Sequence, residues 1–133
     1  MVWKNLLSVV LGLMASFLTV SLLEWLMGMI YKVPPFPETH DIETIRNYIQ
    51  ALPQSLLAIN ACSYGIAAMV GSYVAIILSK NRKSGLRMTL VFAVVVMINF
   101  LSMPHPTWMI ALGLITTALG GYAPTIWIKK TTA

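Results

Sequence analysis

Residues 6–30 form an apolar run of 25 residues broken by a single charge, Glu24. About 20 helical residues at ~1.5 Å each cross the hydrocarbon of a bilayer, so this run is long enough to span one. Three further runs, 54–78, 86–103 and 107–128, have the same character. The third of the four holds the branched sequence Val94-Val95-Val96, which in water would argue for a strand. In lipid a lone strand leaves its backbone groups unpaired, so helix is the reading there too. The pattern predicts an all-α, polytopic membrane protein. Residues 1–133 form one domain of four transmembrane helices in a compact bundle, with a short amphipathic external helix.

That external helix comes from 31–53, the one sizeable polar segment. Val33-Pro34-Pro35-Phe36-Pro37 cannot be helical throughout, because proline removes donors and restricts the residue before it. It reads as an extended stop after the first span. Asp41 then suits an N-cap and Glu43 the first turn, where both complement the helix dipole. Ile42, Ile45, Ile49 and Leu52 follow at helical spacing, predicting an amphipathic helix over Asp41 to Leu52 on the membrane surface or over the bundle. Pro53 fits the first turn of the second span. Ser84-Gly85 marks a turn within a basic loop over 79–87. Met103-Pro104-His105-Pro106-Thr107 is a tight break, and Pro124 is placed to kink the last span.

Small residues mark the faces where helices approach closely. Every fourth position of the first span gives Ser8, Gly12, Ser16, Val20, Glu24 and Gly28. The second carries Ala61 and Gly65 on one row and Ala67, Gly71 and Ala75 on an adjacent one. Gly12, Ser16, Gly65 and Gly71 are therefore the expected packing residues, and the second span is the close-packing helix. Cys62, the lone cysteine, reads as a small buried hydrophobe.

The composition agrees with a membrane domain: 58% hydrophobic and 10% charged residues, against about 25% charged in soluble domains. The net charge of +5 is no nucleic-acid footprint, because the basic residues sit at the ends of apolar runs without interleaved aromatics. The apolar stretch after Lys4 runs far past a signal-peptide core, so an uncleaved first span is expected. Four spans put both termini on one side. With Lys4, Lys80, Arg82, Lys83, Arg87, Lys129 and Lys130, that side holds seven of the nine basic residues, leaving Lys32 and Arg46 on the other. The positive-inside bias makes both termini cytoplasmic.

This topology sets depth. Glu24 lies seven residues below the outer end of its span, Asn60 seven below Pro53, and Asn99 five below Pro104. All three fall about 7–11 Å beneath the outer surface, with His105 at the surface itself. Glu24, Asn60, Asn99 and His105 thus form a polar intramembrane layer, and the two asparagines are expected to hydrogen-bond across helices and hold Glu24. No metal-ligand spacing is present, no cofactor is expected, and no nucleophile with a base and oxyanion hole is visible, so the reading leans away from an enzyme. Two functions follow. One is a structural or accessory membrane protein that meets a second copy or a membrane partner protein through small-residue faces. The other is a proton- or cation-coupled carrier, or a ligand-binding protein, with an outward-facing polar pocket.

Glu24, the Val33-Pro34-Pro35 stop, Leu52-Pro53, the small residues Ala67 to Ala75 with Lys80-Asn81-Arg82-Lys83 after them, and Asn99 with Met103-Pro104-His105-Pro106-Thr107-Trp108 resemble a group of small bacterial integral membrane proteins with four helices and no assigned activity. The resemblance covers nearly the whole chain and implies a bacterial inner membrane. Small multidrug-resistance transporters also place a glutamate in the first of four helices. Here Glu24 is nearer one surface, the first external loop is longer and the charge bias is one-sided. Membrane-associated glutathione-using enzymes carry basic residues within their helices, which are missing here.

Overall fold

A computed structural model describes residues 2–32 and 34–128. Val33 of the proline stop and the cationic pair Lys129 and Lys130 lie outside the described residues. The chain forms five helices: α1 (Val2–Tyr31), α2 (Ile42–Ala51), α3 (Gln54–Ser79), α4 (Arg82–Ser102) and α5 (Thr107–Trp127). No strand occurs among the described residues. All but α2 are long and apolar enough to cross a membrane.

Local chemistry sets the helix ends. Lys32 takes a left-handed conformation (φ 50°) after α1, and the chain from Pro34 to Pro37 is non-helical. Asp41 caps α2, accepting from the Glu43 backbone N–H at 3.3 Å and from the Thr44 hydroxyl at 2.9 Å. The carbonyl of Pro53 accepts the first bond of α3, from the Leu57 N–H at 3.2 Å. Pro124 lies inside α5, which continues to Trp127.

The turn expected at Ser84-Gly85 is not there. Both residues are helical and buried in the start of α4. The turn is instead Lys80, left-handed at φ 57°, followed by Asn81, whose side chain accepts from the Lys83 N–H at 3.0 Å. Gly85 serves packing: a Cβ there would lie 2.6 Å from Ser72 Oγ and 2.7 Å from Ile76 Cδ1. Asn81→Ala is expected to cost about 1 kcal/mol, the usual worth of an N-cap, read as a lower thermal midpoint in detergent.

Helix α3 is central. It packs against α1, α4 and α5, while α1 and α5 do not meet. Without a hydrophobic force between helices in lipid, close van der Waals fit and interhelical hydrogen bonds hold such a bundle. α1 runs antiparallel to α3, with Gly12 against Gly71 and the Ser16 hydroxyl donating to the Ala67 carbonyl at 2.8 Å. α5 runs parallel to α3, with Gly65 against Thr116 and Gly120, and the Thr116 hydroxyl donating to the Ala61 carbonyl at 3.1 Å. The bulk comes from Met88, Phe92, Val96 and Phe100 of α4 and Met109 of α5, all buried, which fill the grooves beside α3.

Cys62 is exposed, not buried. It shares an outward strip of α3 with Ile59, Ile66, Tyr73 and Ile77, all exposed. The small residues of α3 take the inward positions, and this leaves the larger ones and Cys62 facing out.

Candidate functional site

At the end of the bundle where α1 finishes and α3 begins, a cavity of about 410 Å³ lies among the helices. The register set by the glycine contacts below positions its walls. Antiparallel packing of α1 on α3 puts Glu24 level with Asn60, and parallel packing of α1 on α4 puts Glu24 level with Asn99. Glu24, Asn60, Tyr64, Asn99 and His105 all line the cavity, together with Met27 and Met109. Phe36, Tyr48, Ile49 and Leu52, from the segment between α1 and α3, complete it.

The polar residues meet at the cavity, and Asn99 bonds across helices as expected, but Asn60 does not and neither holds Glu24. Asn99 donates from Nδ2 to the Tyr64 hydroxyl at 2.9 Å, linking α4 to α3. Neither asparagine bonds to Glu24, which is exposed and forms no hydrogen bond among the described residues. Asn60 is half-buried, and its Oδ1 is shut off from solvent without a partner. The same holds for Nδ1 of His105, whose ring stands edge-on to Phe100 at 5.1 Å. The physical reason is spacing. Asn99 meets Tyr64 one turn along from Asn60, and that contact uses its amide.

Tyr64 and Tyr48 escape the sequence reading, and Phe36 enters it only as part of the proline stop. Tyr64 sits in an apolar run where it passes for bulk, yet it lies four residues from Asn60 and so shares its face. It is buried, and its ring packs edge-on to Phe100 at 5.3 Å. Tyr48 and Phe36 form an edge-on pair at 5.3 Å, and the Tyr48 hydroxyl donates to the Pro34 carbonyl at 2.7 Å. Burial pushes the Tyr48 phenol up from its ordinary value. No sequence signal separates Phe36 from the proline stop around it.

Gly12, Ser16 and Gly71 come together at the α1–α3 contact, and Gly65 lies at the α3–α5 contact instead. All four are buried and none lines the cavity. Among the described residues no three His, Cys, Asp or Glu side chains cluster to hold a metal ion. No lysine or arginine among the described residues lines the cavity either. What remains is one carboxylate beside carboxamide, imidazole and phenol groups, between aromatic rings. Such a lining offers acceptors and ring faces to a hydrogen-bond donor of positive charge. No protein-family model, curated protein or solved structure matches this chain.

Proposed function

We propose that this chain is a small integral membrane protein of a cell inner membrane, both termini cytoplasmic, whose cavity binds a small organic ammonium ion from the outer side. The observation that carries this reading is the lining itself. Among the described residues Glu24 is its one acidic group, no lysine or arginine accompanies it, and Asn60 keeps a buried oxygen without a donor. An ammonium ligand supplies both a counter-charge and donors, and the aromatic rings of Phe36, Tyr48 and Tyr64 suit a cation. A volume near 410 Å³ lies within the range of small-ligand sites. A structural or accessory role through small-residue faces draws less support. Gly12, Gly65, Gly71 and Gly120 are in contact with this chain's own helices, so these four already serve packing within the chain.

The test is calorimetric titration in lipid nanodiscs with butylammonium, butyrate and butanol. Butylammonium is expected to bind and the other two are not. Glu24→Gln is expected to weaken binding roughly 10- to 100-fold, the worth of one hydrogen bond to a charged group. Equal binding of butyrate, or an unchanged affinity in the Gln variant, would end the proposal.

Orientation has its own test. In a Cys62→Ala background, a cysteine at the exposed position Glu38 is expected to react with an impermeant thiol reagent added outside intact cells. One at exposed Lys83 is expected to react only after permeabilisation. The reverse pattern would place the cavity on the cytoplasmic side.

A further inference from the structure

We propose that the ammonium ligand is an amphiphile whose hydrocarbon chain leaves the cavity sideways, between α1 and α4, into the bilayer. This rests on the ammonium-binding reading above and adds the class of ligand to it. A second cavity, of about 250 Å³, adjoins the first. The two share three lining residues, Glu24, Tyr64 and Asn99, so the acceptor-lined chamber and the second space lie side by side at these side chains. The character of the walls changes from one to the other. Beyond the shared residues the second cavity is lined only by Phe17, Val20, Phe92, Val95 and Val96.

The second space follows from how α1 meets α4. Their contact is the least extensive of the five helix pairs. It is held where the Ser16 hydroxyl approaches Met88 Sδ at 3.6 Å and where Phe17 stands edge-on to Phe92, ring centroids 6.0 Å apart. Above that pair α1 presents Val20 and Glu24, and α4 presents Val95, Val96 and Asn99. The cleft thus begins over an aromatic floor and rises to the carboxylate. From Phe17 to Glu24 is seven residues, or about 10 Å of helix, all within the apolar run.

A ligand that is only a small hydrophilic amine leaves this cleft without use. A polar head with an apolar tail matches both parts: the ammonium beside Glu24 and Asn60, the tail over Phe17 and Phe92. The lining also limits the head. Among the described residues neither cavity has a lysine or arginine to receive a phosphate, so a long-chain amine without phosphate fits, and a phospholipid headgroup does not.

The experiment uses the full chain in nanodiscs and a dodecylammonium probe with a diazirine near the end of its chain. Irradiation is expected to label α1 and α4 residues around Phe17, Val20, Phe92 and Val96. An excess of butylammonium should remove the label, and so should Glu24→Gln. Two variants that narrow the cleft, Val20→Trp and Val95→Trp, are expected to weaken dodecylammonium about tenfold while butylammonium binds as before. Label confined to residues 36–52 or to α5 overturns the lateral path, as does equal loss of both amines in the two Trp variants. The wild-type labelling decides even where a Trp variant does not fold. If butylammonium binds and the dodecyl probe does not, the lateral path falls and the ammonium site stands. If neither amine binds, both fall.

Discussion

Gly71→Leu is expected to lower the stability of the bundle by about 3 kcal/mol or more, the upper end of what overpacking costs. Two effects oppose each other in any glycine replacement within a helix. A side chain gains up to about 1 kcal/mol of helix propensity over glycine, and it must find room. At Gly71 there is none: a Cβ would fall on the Ser16 hydroxyl and lie 2.6 Å from the Gly12 carbonyl oxygen, which is backbone and cannot rotate away. The clash therefore outweighs the propensity gain, and the α1–α3 contact has to part. Gly28 is the control, because a Cβ there meets nothing within 4 Å. Gly28→Ala is expected to raise stability slightly, by up to about 1 kcal/mol, since only the propensity term remains. Thermal unfolding in a mild detergent reads both. Similar midpoints for Gly71→Leu and wild type would show that α1 is not held to α3 by close approach.

Glu24→Lys is expected to abolish binding of butylammonium, by about 100-fold or more, while the protein still folds. The substitution does more than remove an attraction, which Glu24→Gln does alone. It brings a tethered ammonium to the wall of the same cavity, within reach of the acceptors that the free ligand would use. Like charges set against each other in a binding site cost several kcal/mol. Folding is spared because Glu24 is exposed at the cavity edge and supports no hydrogen bond that the change would break. Calorimetry on the folded variant, with circular dichroism to establish the fold, gives the answer. Binding by the Lys variant at near wild-type strength would place the ligand elsewhere.

The helices themselves are legible because the bilayer criterion is length, and apolar runs of 18 or more residues declare it. The α2 helix is legible through its cap, Asp41, and through isoleucines at helical spacing. Gly85 was misleading for a physical reason. In water Ser-Gly between charged residues signals a turn, whereas here the same glycine lets Ser72 and Ile76 of α3 come close, and a two-residue connection at Lys80 and Asn81 suffices. The common level of Glu24, Asn60 and Asn99 can be found by counting from the helix ends. Which of them bond cannot, since that depends on the rotation of each helix about its axis. Rotation is what gave the Asn99 amide to Tyr64 and left Glu24 and Asn60 facing a cavity. Cys62 shows the same dependence on rotation: the small residues Ala61, Gly65, Ala67, Gly71 and Ala75 turn inward, and Cys62, lying off those rows, faces out.

The separation of α1 from α5 bears on how the protein is made. Synthesis runs from the N-terminus, so α1 is made before α3 and α4, the helices it packs against. Its main partner, α3, is the next long helix to follow, and α5 makes no contact with it. Until α3 arrives, α1 has to persist in lipid without it, and it is the helix equipped to do so, being the least buried of the four long ones. Helix α3, with its small residues and largest buried share, is the poorest candidate for solitary life in the membrane. The order of the chain therefore delivers the self-sufficient helix first and the dependent one directly after it, with a surface already waiting.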